Sequence, residues 1–393
     1  MNKQKIITRT ILLVSFVSFF NDIASEMLYP IMPVYLGSIG FSVLLIGILE
    51  GLAEATAGLS KGYFGNLSDK TGRRLPFVQF GYMLSAISKP MMAIFTFPLW
   101  IFAARSTDKL GKGIRTSARD AMLSDETTAE HKGKVFGFHR AFDTLGASIG
   151  PFLALIYLYF YPQQYKLLFL IAFAPGLCSI ALTFFIKEKK KVKLTPDNKV
   201  KVGFFDYLSY WKKSIKAYKY LVIGLLAFTF FNSSDAFLLL ALKANGMSDT
   251  QMIGVYIFYN FIYALASLPL GILADKIGLR KTMIIGFTLF AIVYLSMGFA
   301  TAWWQFGVIF FLYGLYAAST EGVSKALISN ISLKEETATA IGFYTSLASI
   351  FALLASSIGG LLFFYNPKLM FVFSGTGVVL VVMYFVLIKP KIK

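Results

Sequence analysis

The sequence predicts an all-α polytopic membrane protein with twelve transmembrane helices in two six-helix bundles, and three observations support this. Of its 393 residues, 56% are hydrophobic and 15% are charged, whereas a soluble protein carries roughly 25% charged residues. Apolar stretches of about 20 residues recur along the chain, each long enough to cross a bilayer core of roughly 30 Å. A short charged pattern also occurs twice, at corresponding places of the two halves.

The predicted membrane spans follow the apolar runs in chain order. They lie near residues 9–36, 42–64, 75–96, 98–120, 135–159, 164–186, 219–243, 250–274, 282–300, 302–328, 337–364 and 367–388. The lysine-rich stretch 187–219 separates the sixth span from the seventh, and we expect a short surface helix there, around Phe204 to Trp211. The predicted domains are therefore an N-terminal bundle (1–186), a cytoplasmic basic linker (187–219) and a C-terminal bundle (220–393).

The formal net charge of +18 would suggest a nucleic-acid partner in a soluble chain, but its placement indicates a membrane instead. Basic residues cluster at both termini, in the linker and in alternate loops, and the opposite loops are almost uncharged. By the positive-inside rule both termini are cytoplasmic. We therefore expect a multi-pass protein of the inner membrane of a bacterium, acting as a monomer. Its expected partners are the lipid bilayer, protons and a small-molecule substrate, with no nucleic acid.

The repeated charged pattern, G-x-L-x-D-K-x-G-x-R, predicts a short hairpin between two membrane helices in each half. Its members are Gly65, Asp69, Gly72, Arg73 and Arg74 in the first copy, and Gly271, Asp275, Gly278 and Arg280 in the second. Glycine opens a turn at low steric cost, aspartate accepts bonds from a helix N-terminus, and the basic residues bind an anionic membrane surface. A second echo, Phe19-Phe20-Asn21 and Phe230-Phe231-Asn232, supports the same division into halves.

Twelve spans, a 6+6 repeat, a basic central linker and this hairpin after the second helix together resemble the major facilitator superfamily over essentially the whole chain. The resemblance implies two bundles that rock about a central cavity lined mainly by helices 1, 4, 7 and 10. It also implies that Asp69 contacts the N-terminus of helix 11, near Glu336 to Thr339. Arg115 and Arg119, at the inner end of helix 4, are candidate cations for the same carboxylate.

The fifth predicted helix carries Gly137, Gly146, Gly150 and Pro151 with the spacing G-x8-G-x3-G-P. Small residues on one helix face permit close backbone packing, and proline interrupts the hydrogen-bond ladder. The pattern resembles the glycine-rich helix 5 of proton-coupled antiporters such as drug exporters, although its trailing glycine pair is replaced here by Ala154 and Leu155.

Ionisable residues inside the predicted spans are expected to have a structural or functional role, because inserting each one near the bilayer centre costs about 2.5–3.5 kcal/mol of free energy. Burial favours the protonated form of a carboxyl group, whereas a neighbouring cation favours the ionised form. A carboxyl group under both influences can therefore bind and release a proton during transport. The candidate proton-coupling residues, with the first two preferred, are Asp22, Glu26, Glu50, Glu54, Asp108 and Asp143.

Counting about 1.5 Å per residue from the helix ends sorts these charges by depth. From the outer surface inward, the predicted layers are Asp22, Glu50 and Arg105; then Glu54, Asp108 and Lys109; then Lys112 and Asp143. Acids and bases fall into the same layers, which predicts ion pairs within the first bundle. Arg105 is expected to bind a carboxylate, either of the substrate or of Asp22.

The candidate substrate-binding residues are Asn21, Tyr29, Arg105, Lys109, Asn232 and Asp235. The second half has few charges in its spans, chiefly Asp235 and an expected Glu321–Lys325 pair near the inner end of helix 10. Its side of the cavity is expected to be aromatic and amide, for example Tyr256, Asn260 and Tyr313. With Cys178 as the single cysteine and two histidines, we expect no metal site and no cofactor.

These residues predict a secondary active transporter that moves a small organic solute by alternating access. The helix 5 pattern favours proton-coupled export. The cations of helix 4 favour the alternative, a proton symporter that takes up an anionic metabolite with Arg105 and Lys109 at the anion site. A membrane-embedded enzyme would need a metal or nucleophile constellation that this sequence lacks, and the linker is too short to hold a signalling domain of a non-transporting sensor.

Overall fold

The structure, a computed structural model, describes residues 6–29, 31–188 and 202–388. Over these ranges it contains α-helices and three short 3-10 turns, with no β-strand. The α-helices are α1 (Arg9–Glu26), α2 (Met32–Ser38), α3 (Val43–Thr71), α4 (Leu75–Ile94), α5 (Pro98–Asp125), α6 (Lys132–Phe160), α7 (Tyr165–Thr183), α8 (Tyr210–Lys213), α9 (Lys216–Phe231), α10 (Ala236–Ala244), α11 (Asp249–Ile277), α12 (Leu279–Met297), α13 (Trp303–Ile331), α14 (Thr337–Tyr365) and α15 (Pro367–Leu387).

The prediction of an all-α membrane protein is confirmed, and each predicted span coincides with one helix or with a broken pair. The first span is divided between α1 and α2, and the seventh between α9 and α10. Within the described residues, 8 helical stretches are long and apolar enough to cross a membrane, and all of them follow residue 128. The earlier helices carry most of the intramembrane charges, which lowers their mean hydropathy.

The two repeated hairpins turn at glycines, as predicted. Gly72 follows α3 with a φ of 65°, and Gly278 follows α11 with a φ of 104°, a region that side chains other than glycine rarely adopt. The opening glycines do not form the turn, and that part of the prediction is wrong. Gly65 and Gly271 lie inside α3 and α11, where their missing side chains allow another backbone to approach.

Internal contacts divide the chain into two units. The first contains Met1–Thr128, Phe142–Tyr210 and Leu333–Ser346, and the second contains Ala129–Ala141, Trp211–Ser332 and Leu347–Lys393. The beginning of α6 therefore belongs with the second unit, and the beginning of α14 with the first. The predicted bundles follow chain order and remain a prediction, and residues 189–201 of the predicted linker lie outside the described residues.

The predicted surface helix of the linker is present as a 3-10 turn, Asp206–Ser209, followed by α8. We call residues 203–210 the linker strap. Its buried Tyr207 lies against Gly62 of α3, where an added Cβ would be 2.5 Å from the ring. The Tyr207 hydroxyl is 2.9 Å from the Ser346 hydroxyl of α14, and Phe204 stacks on Tyr63 with ring centroids 5.3 Å apart. The linker strap is thus packed on α3 and α14 within the first unit.

Replacing Gly62 by alanine should release the linker strap, because the new methyl group would occupy the position of the Tyr207 ring. Limited trypsin digestion followed by mass spectrometry measures this as cleavage after Lys212 and Lys213, which α8 protects while it stays folded. We expect cleavage several-fold faster than in the wild type.

The matched control is Gly51→Ala on the same helix, where nothing lies within 4 Å of an added Cβ. It should be cut at the wild-type rate. Equal cleavage of Gly62→Ala and Gly51→Ala would show that the packing of the Tyr207 ring on α3 does not require a glycine at position 62.

Candidate functional site

Two ion pairs join α3 to α5 in the first unit. Arg105 of α5 donates to both carboxylate oxygens of Glu50 on α3, over 2.7 and 2.6 Å. One turn further along, Lys109 pairs with Glu54. The prediction of ion pairs between residues of one layer is confirmed for these two pairs. The expectation that Arg105 binds Asp22 is wrong, because its planar guanidinium is engaged bidentately by Glu50.

A third pair joins α4 to α5 and was not predicted. The fully buried Lys89 of α4 donates to Asp108 over 2.8 Å and to the Ser25 hydroxyl over 3.1 Å. Asp108 is also 3.9 Å from Arg105 on its own helix. A lysine inside the predicted span 75–96 was itself a signal, since intramembrane lysines are rare and need a partner.

Asp22 of α1 lies within hydrogen-bonding reach of Asp143 on α6, with Glu26 and Lys112 close by. The Asn21 side chain donates to Asp22 over 3.2 Å. The depth count placed Asp22 and Asp143 in different layers, and this assignment is wrong. The count assumes that all helices begin and end at common depths, and α1 breaks after Glu26, so residue counts from helix ends do not give a common scale.

Arg119 of α5 approaches the same carboxylate pair. Its guanidinium is 3.7 Å from Asp143 and 3.0 Å from Asp120, and it donates to the Ser18 hydroxyl over 3.1 Å. The site in the first unit therefore contains two neighbouring carboxyl groups, Asp22 and Asp143, with the cations Arg119 and Lys112 close to them.

The glycines of the helix 5 pattern bring α6 close to two other helices, as expected for small residues. An added Cβ would collide with the Phe19 carbonyl at Gly146, and would be 2.7 Å from the Ile23 carbonyl at Gly150. At Gly137 it would be 2.5 Å from the Ser267 carbonyl of α11. Pro151 lies inside α6, one residue after Gly150. The position of Asp143 beside Asp22 depends on this close approach of α6 to α1.

Asp69 accepts hydrogen bonds from the Thr339 backbone N–H over 2.6 Å and from the Thr339 hydroxyl over 2.8 Å. Thr339 lies in the first turn of α14, so the expected contact of Asp69 with this helix N-terminus is confirmed. The helix dipole favours a carboxylate there. Gly65, one turn earlier on α3, allows the approach, since an added Cβ would be 2.5 Å from the Ala338 carbonyl.

The cation beside Asp69 is Arg74, at 2.9 Å, and Arg74 also donates to Asp125 over 2.8 Å. The expectation of Arg115 or Arg119 at this position is wrong. Arg115 instead donates to the Ser85 hydroxyl over 2.6 Å. Arg73, the other member of the basic pair, is exposed.

The second copy of the pattern makes an equivalent contact in the second unit. Asp275 accepts from the backbone N–H groups of Gly133 and Lys134, over 2.7 and 2.8 Å, in the first turn of α6. Arg280 donates to the backbone carbonyls of Phe385 and Ile388 at the end of α15. Each copy of the pattern thus places a carboxylate at the N-terminus of a distant helix.

The polar residues of the second unit gather at the break between α9 and α10. Asp235 accepts hydrogen bonds from the hydroxyls of Tyr259, over 3.0 Å, and Tyr313, over 2.5 Å. The Asn232 amide donates to the Tyr316 hydroxyl over 3.1 Å. These partners come from α11 and α13, so the break is enclosed by tyrosines.

Of the other predicted residues, Tyr29 is 53% exposed, and the Asn260 amide donates to the Tyr256 carbonyl of its own helix. Glu321 pairs with Arg140 of α6, which also contacts Tyr263, and the expected pair of Glu321 with Lys325 stays a prediction. Among the described residues, no group of three or more His, Cys, Asp or Glu side chains could hold a metal ion.

The family model of the Major Facilitator Superfamily matches residues 14–257 and 221–393. The chain belongs to this superfamily. An uncharacterised MFS-type transporter of Methanocaldococcus jannaschii is 33% identical over 374 residues, which cover 94% of this chain and 92% of that protein. The multi-drug resistance efflux pump PmrA of Streptococcus pneumoniae is 23% identical over 335 residues, covering 81% and 80% of the two chains.

Solved structures show the same fold at low identity. The human organic anion transporter MFSD10 gives a TM-score of 0.81 at 15% identity, covering 96% of this chain and 99% of that one. The transporter FucP in its outward conformation gives 0.77 at 13% identity, covering 97% and 99%. The protein is therefore a multi-pass membrane transporter of the major facilitator type and not an enzyme.

A double-mutant cycle on Glu50 and Arg105 should show that they act as one structural unit. Arg105→Gln leaves Glu50 without its cation, which costs about 3–5 kcal/mol at a fully buried pair and less here, since the Glu50 side chain is 30% exposed. We expect a lower thermal midpoint for Arg105→Gln and for Glu50→Gln, and partial recovery in Glu50→Gln/Arg105→Gln. Arg105→Lys, which loses the bidentate geometry, should also lower it.

The matched comparison is Glu54–Lys109, whose glutamate side chain is 49% exposed and whose disruption should cost less. Additive effects of the Glu50 and Arg105 substitutions on the thermal midpoint would contradict a coupled pair.

Asp69→Asn should loosen the beginning of α14 from α3, because the amide removes the charge that interacts with Arg74 and the helix dipole. Cys178→Ser removes the single cysteine, and Ser117→Cys then places a reporter at a fully buried position beside Gly65 and Gly342. A dipole contact of about 0.3–1 kcal/mol, and more when partly buried, predicts maleimide labelling about two to ten times faster.

Asp206→Asn is the control, since Asp206 pairs with Lys70 at the surface. Asp275→Asn should affect this reporter less, because Asp275 contacts α6. Unchanged labelling in Asp69→Asn with transport lost would defeat the proposed role of the contact.

Proposed function

We propose that this protein is a proton-coupled exporter of a small organic solute that works by alternating access. The observation that carries the proposal is the neighbouring pair of carboxyl groups, Asp22 and Asp143. A hydrogen bond between two carboxyl groups requires a proton on one of them, as in other carboxylate pairs that share a proton. The pair is therefore suited to bind and release a single proton.

When the pair of carboxyl groups releases its proton, neighbouring basic residues can balance the added negative charge. Without the shared proton, Asp22 and Asp143 repel one another, and Arg119 and Lys112 are close enough to offset the two charges. Because Gly146 holds α6 directly against α1 at Asp22, a change in this repulsion acts on the packing of the two helices. In this way proton binding can favour one conformation of the transporter over another.

We assign three of the four other candidate carboxylates to ion pairs instead of to the proton site. Glu50, Glu54 and Asp108 pair with Arg105, Lys109 and Lys89 respectively. Each pair is bound through direct contacts of opposite charge, so the carboxylate does not need a proton to be stable in the apolar interior.

Two features favour export over uptake. The glycine pattern of α6, which resembles that of proton-coupled antiporters, makes the close contacts that the pattern predicts. Relatives over 81% of the chain carry the name of a multi-drug resistance efflux pump. The alternative, uptake of an anionic metabolite by symport, would use Arg105 and Lys109, but both are already neutralised by carboxylates.

Asp22→Asn and Asp143→Asn should each abolish transport driven by a pH gradient while leaving the protein folded. Thermal-shift screening of the purified wild type selects a compound, and proteoliposomes with an imposed pH gradient then measure its accumulation. We expect at least about a tenfold loss of accumulation in both variants, because an amide cannot exchange the proton. Exchange of labelled for unlabelled compound without a gradient should persist.

Glu335→Gln, on an exposed turn before α14, is the control for removing one carboxylate. Uphill accumulation at the wild-type level in both aspartate variants would place the proton site elsewhere, with Glu26 as the next candidate.

A further inference from the structure

The seventh predicted membrane helix is interrupted at its most polar stretch. The helix α9 ends at Phe231 and α10 begins at Ala236, and residues 232–234 between them belong to neither helix, while Asp235 is the N-cap of α10. Irregular backbone at membrane depth persists only where it is buried in protein or lines a cavity, and in transporters such breaks are places where ligands bind. The break therefore marks a candidate binding site within the second unit.

The carboxylate at this break has hydrogen-bond donors but no cation. Asp235 accepts from the Tyr259 and Tyr313 hydroxyls and forms no ion pair with any residue that the structure describes. In the first unit, by contrast, Glu50, Glu54 and Asp108 each have a basic partner. Two hydroxyl groups solvate a carboxylate without neutralising it, so an ionised Asp235 has no opposite charge beside it among the described residues.

A second acceptor at the break also lacks a partner. The Asn232 amide nitrogen donates to Tyr316, while its oxygen is buried and has no hydrogen-bond partner in the described part of the chain. Buried acceptors in native proteins nearly always have a donor, so each exception needs an explanation. Asn232 and Asp235 together present acceptors, and a ligand that complements them brings donors and positive charge.

Aromatic rings surround the two acceptors. Tyr259 and Tyr313 have ring centroids 5.3 Å apart, and Tyr313 and Tyr316 are also 5.3 Å apart. Tyr256 continues the cluster at 5.4 Å from Tyr259. Rings of this kind attract an organic cation through their faces, which adds to the attraction of a carboxylate.

We infer that Asp235, Asn232 and the surrounding tyrosines bind the ammonium group of an organic cation, a protonated amine whose N–H groups donate to both acceptors. The inference rests on the proposed export function, since it names the class of solute that is moved. An anionic solute finds no free cation at Arg105 or Lys109 and is repelled by Asp235. A neutral solute leaves the charge of Asp235 uncompensated.

The test is binding to the purified full-length protein, measured by calorimetry and thermal shift. The probes are phenethylamine, which is protonated at neutral pH, and benzyltrimethylammonium, a cation without an N–H group, with 2-phenylethanol as the uncharged analogue and phenylacetate as an anion. We expect at least one cation to bind and Asp235→Asn to weaken it at least about tenfold. Asp235→Glu should restore most of the affinity, and Glu335→Gln should leave it unchanged.

Two further variants distinguish the role of the tyrosine ring from that of its hydroxyl group. Tyr313→Phe keeps the ring and should hold cation affinity within about threefold, whereas Tyr313→Leu removes the ring and should weaken it several-fold. Equal losses in the two variants would contradict a role for the ring face.

Other outcomes overturn the inference in distinct ways. Asp235-dependent stabilisation by sodium but not potassium, with no effect of the organic cations, would identify an alkali-metal site instead. Binding of the neutral or anionic probes alone, or cation binding unchanged in Asp235→Asn, would reject the proposed class of solute.

The proton-coupled export function is decided separately by accumulation under a pH gradient. It survives if gradient-driven transport of another solute is intact in Asp235→Asn. Conversely, Asp235-dependent cation binding without gradient-driven flux would reject proton coupling and keep the binding site.

Discussion

A charged side chain has no water to solvate it inside the apolar interior of this protein, and the arrangement of the first unit depends on supplying each one with a partner. Glu50 and Arg105 join α3 to α5, while Lys89 and Asp108 join α4 to α5. At about 2.5–3.5 kcal/mol for each unpartnered charge near the bilayer centre, separating any of these helices would be costly. The ion pairs therefore determine which helices are neighbours and fix their register.

Such short contacts need helices that approach closely, and glycine provides the room. At Gly113 of α5 an added Cβ would be 2.6 Å from Ser60 of α3, and at Gly81 of α4 it would be 2.6 Å from the Gly111 carbonyl of α5. These glycines lie along the same helices as the ion pairs. The sequence thus combines two requirements, small residues for distance and opposite charges for attraction, on the same helix faces.

The repeated hairpin and the pairing of Glu50 with Arg105 could be predicted from the sequence, the first from a local pattern and the second from similar residue counts on neighbouring helices. The contact of Asp69 with α14 was expected from the resemblance to the family. The pairing of Asp22 with Asp143 could not be predicted, because counting from helix ends assumes that these ends lie at common depths, and the break after Glu26 ends the count. The break at Asn232 was equally hidden, since an apolar run continues on both sides of it. Lys89 was predictable in principle, because a lysine inside an apolar span needs a partner.

The carboxylates of the two hairpins bind partners that are far away along the chain. Asp69 and Thr339 are separated by 270 residues, and Gly133 and Asp275 by 142. Synthesis therefore leaves Asp69 without its helix N-terminus until nearly the whole chain has been made, and Arg74, only five residues away, is the partner at hand during that interval. In the same way, the first turn of α6 lacks its contact with Asp275 until α11 has been synthesised. A chain that stops before α14 contains every ion pair of its first helices, but Asp69 on α3 then lacks the backbone N–H group of Thr339 that it binds in the full chain. An incomplete chain therefore differs from the full one at this carboxylate.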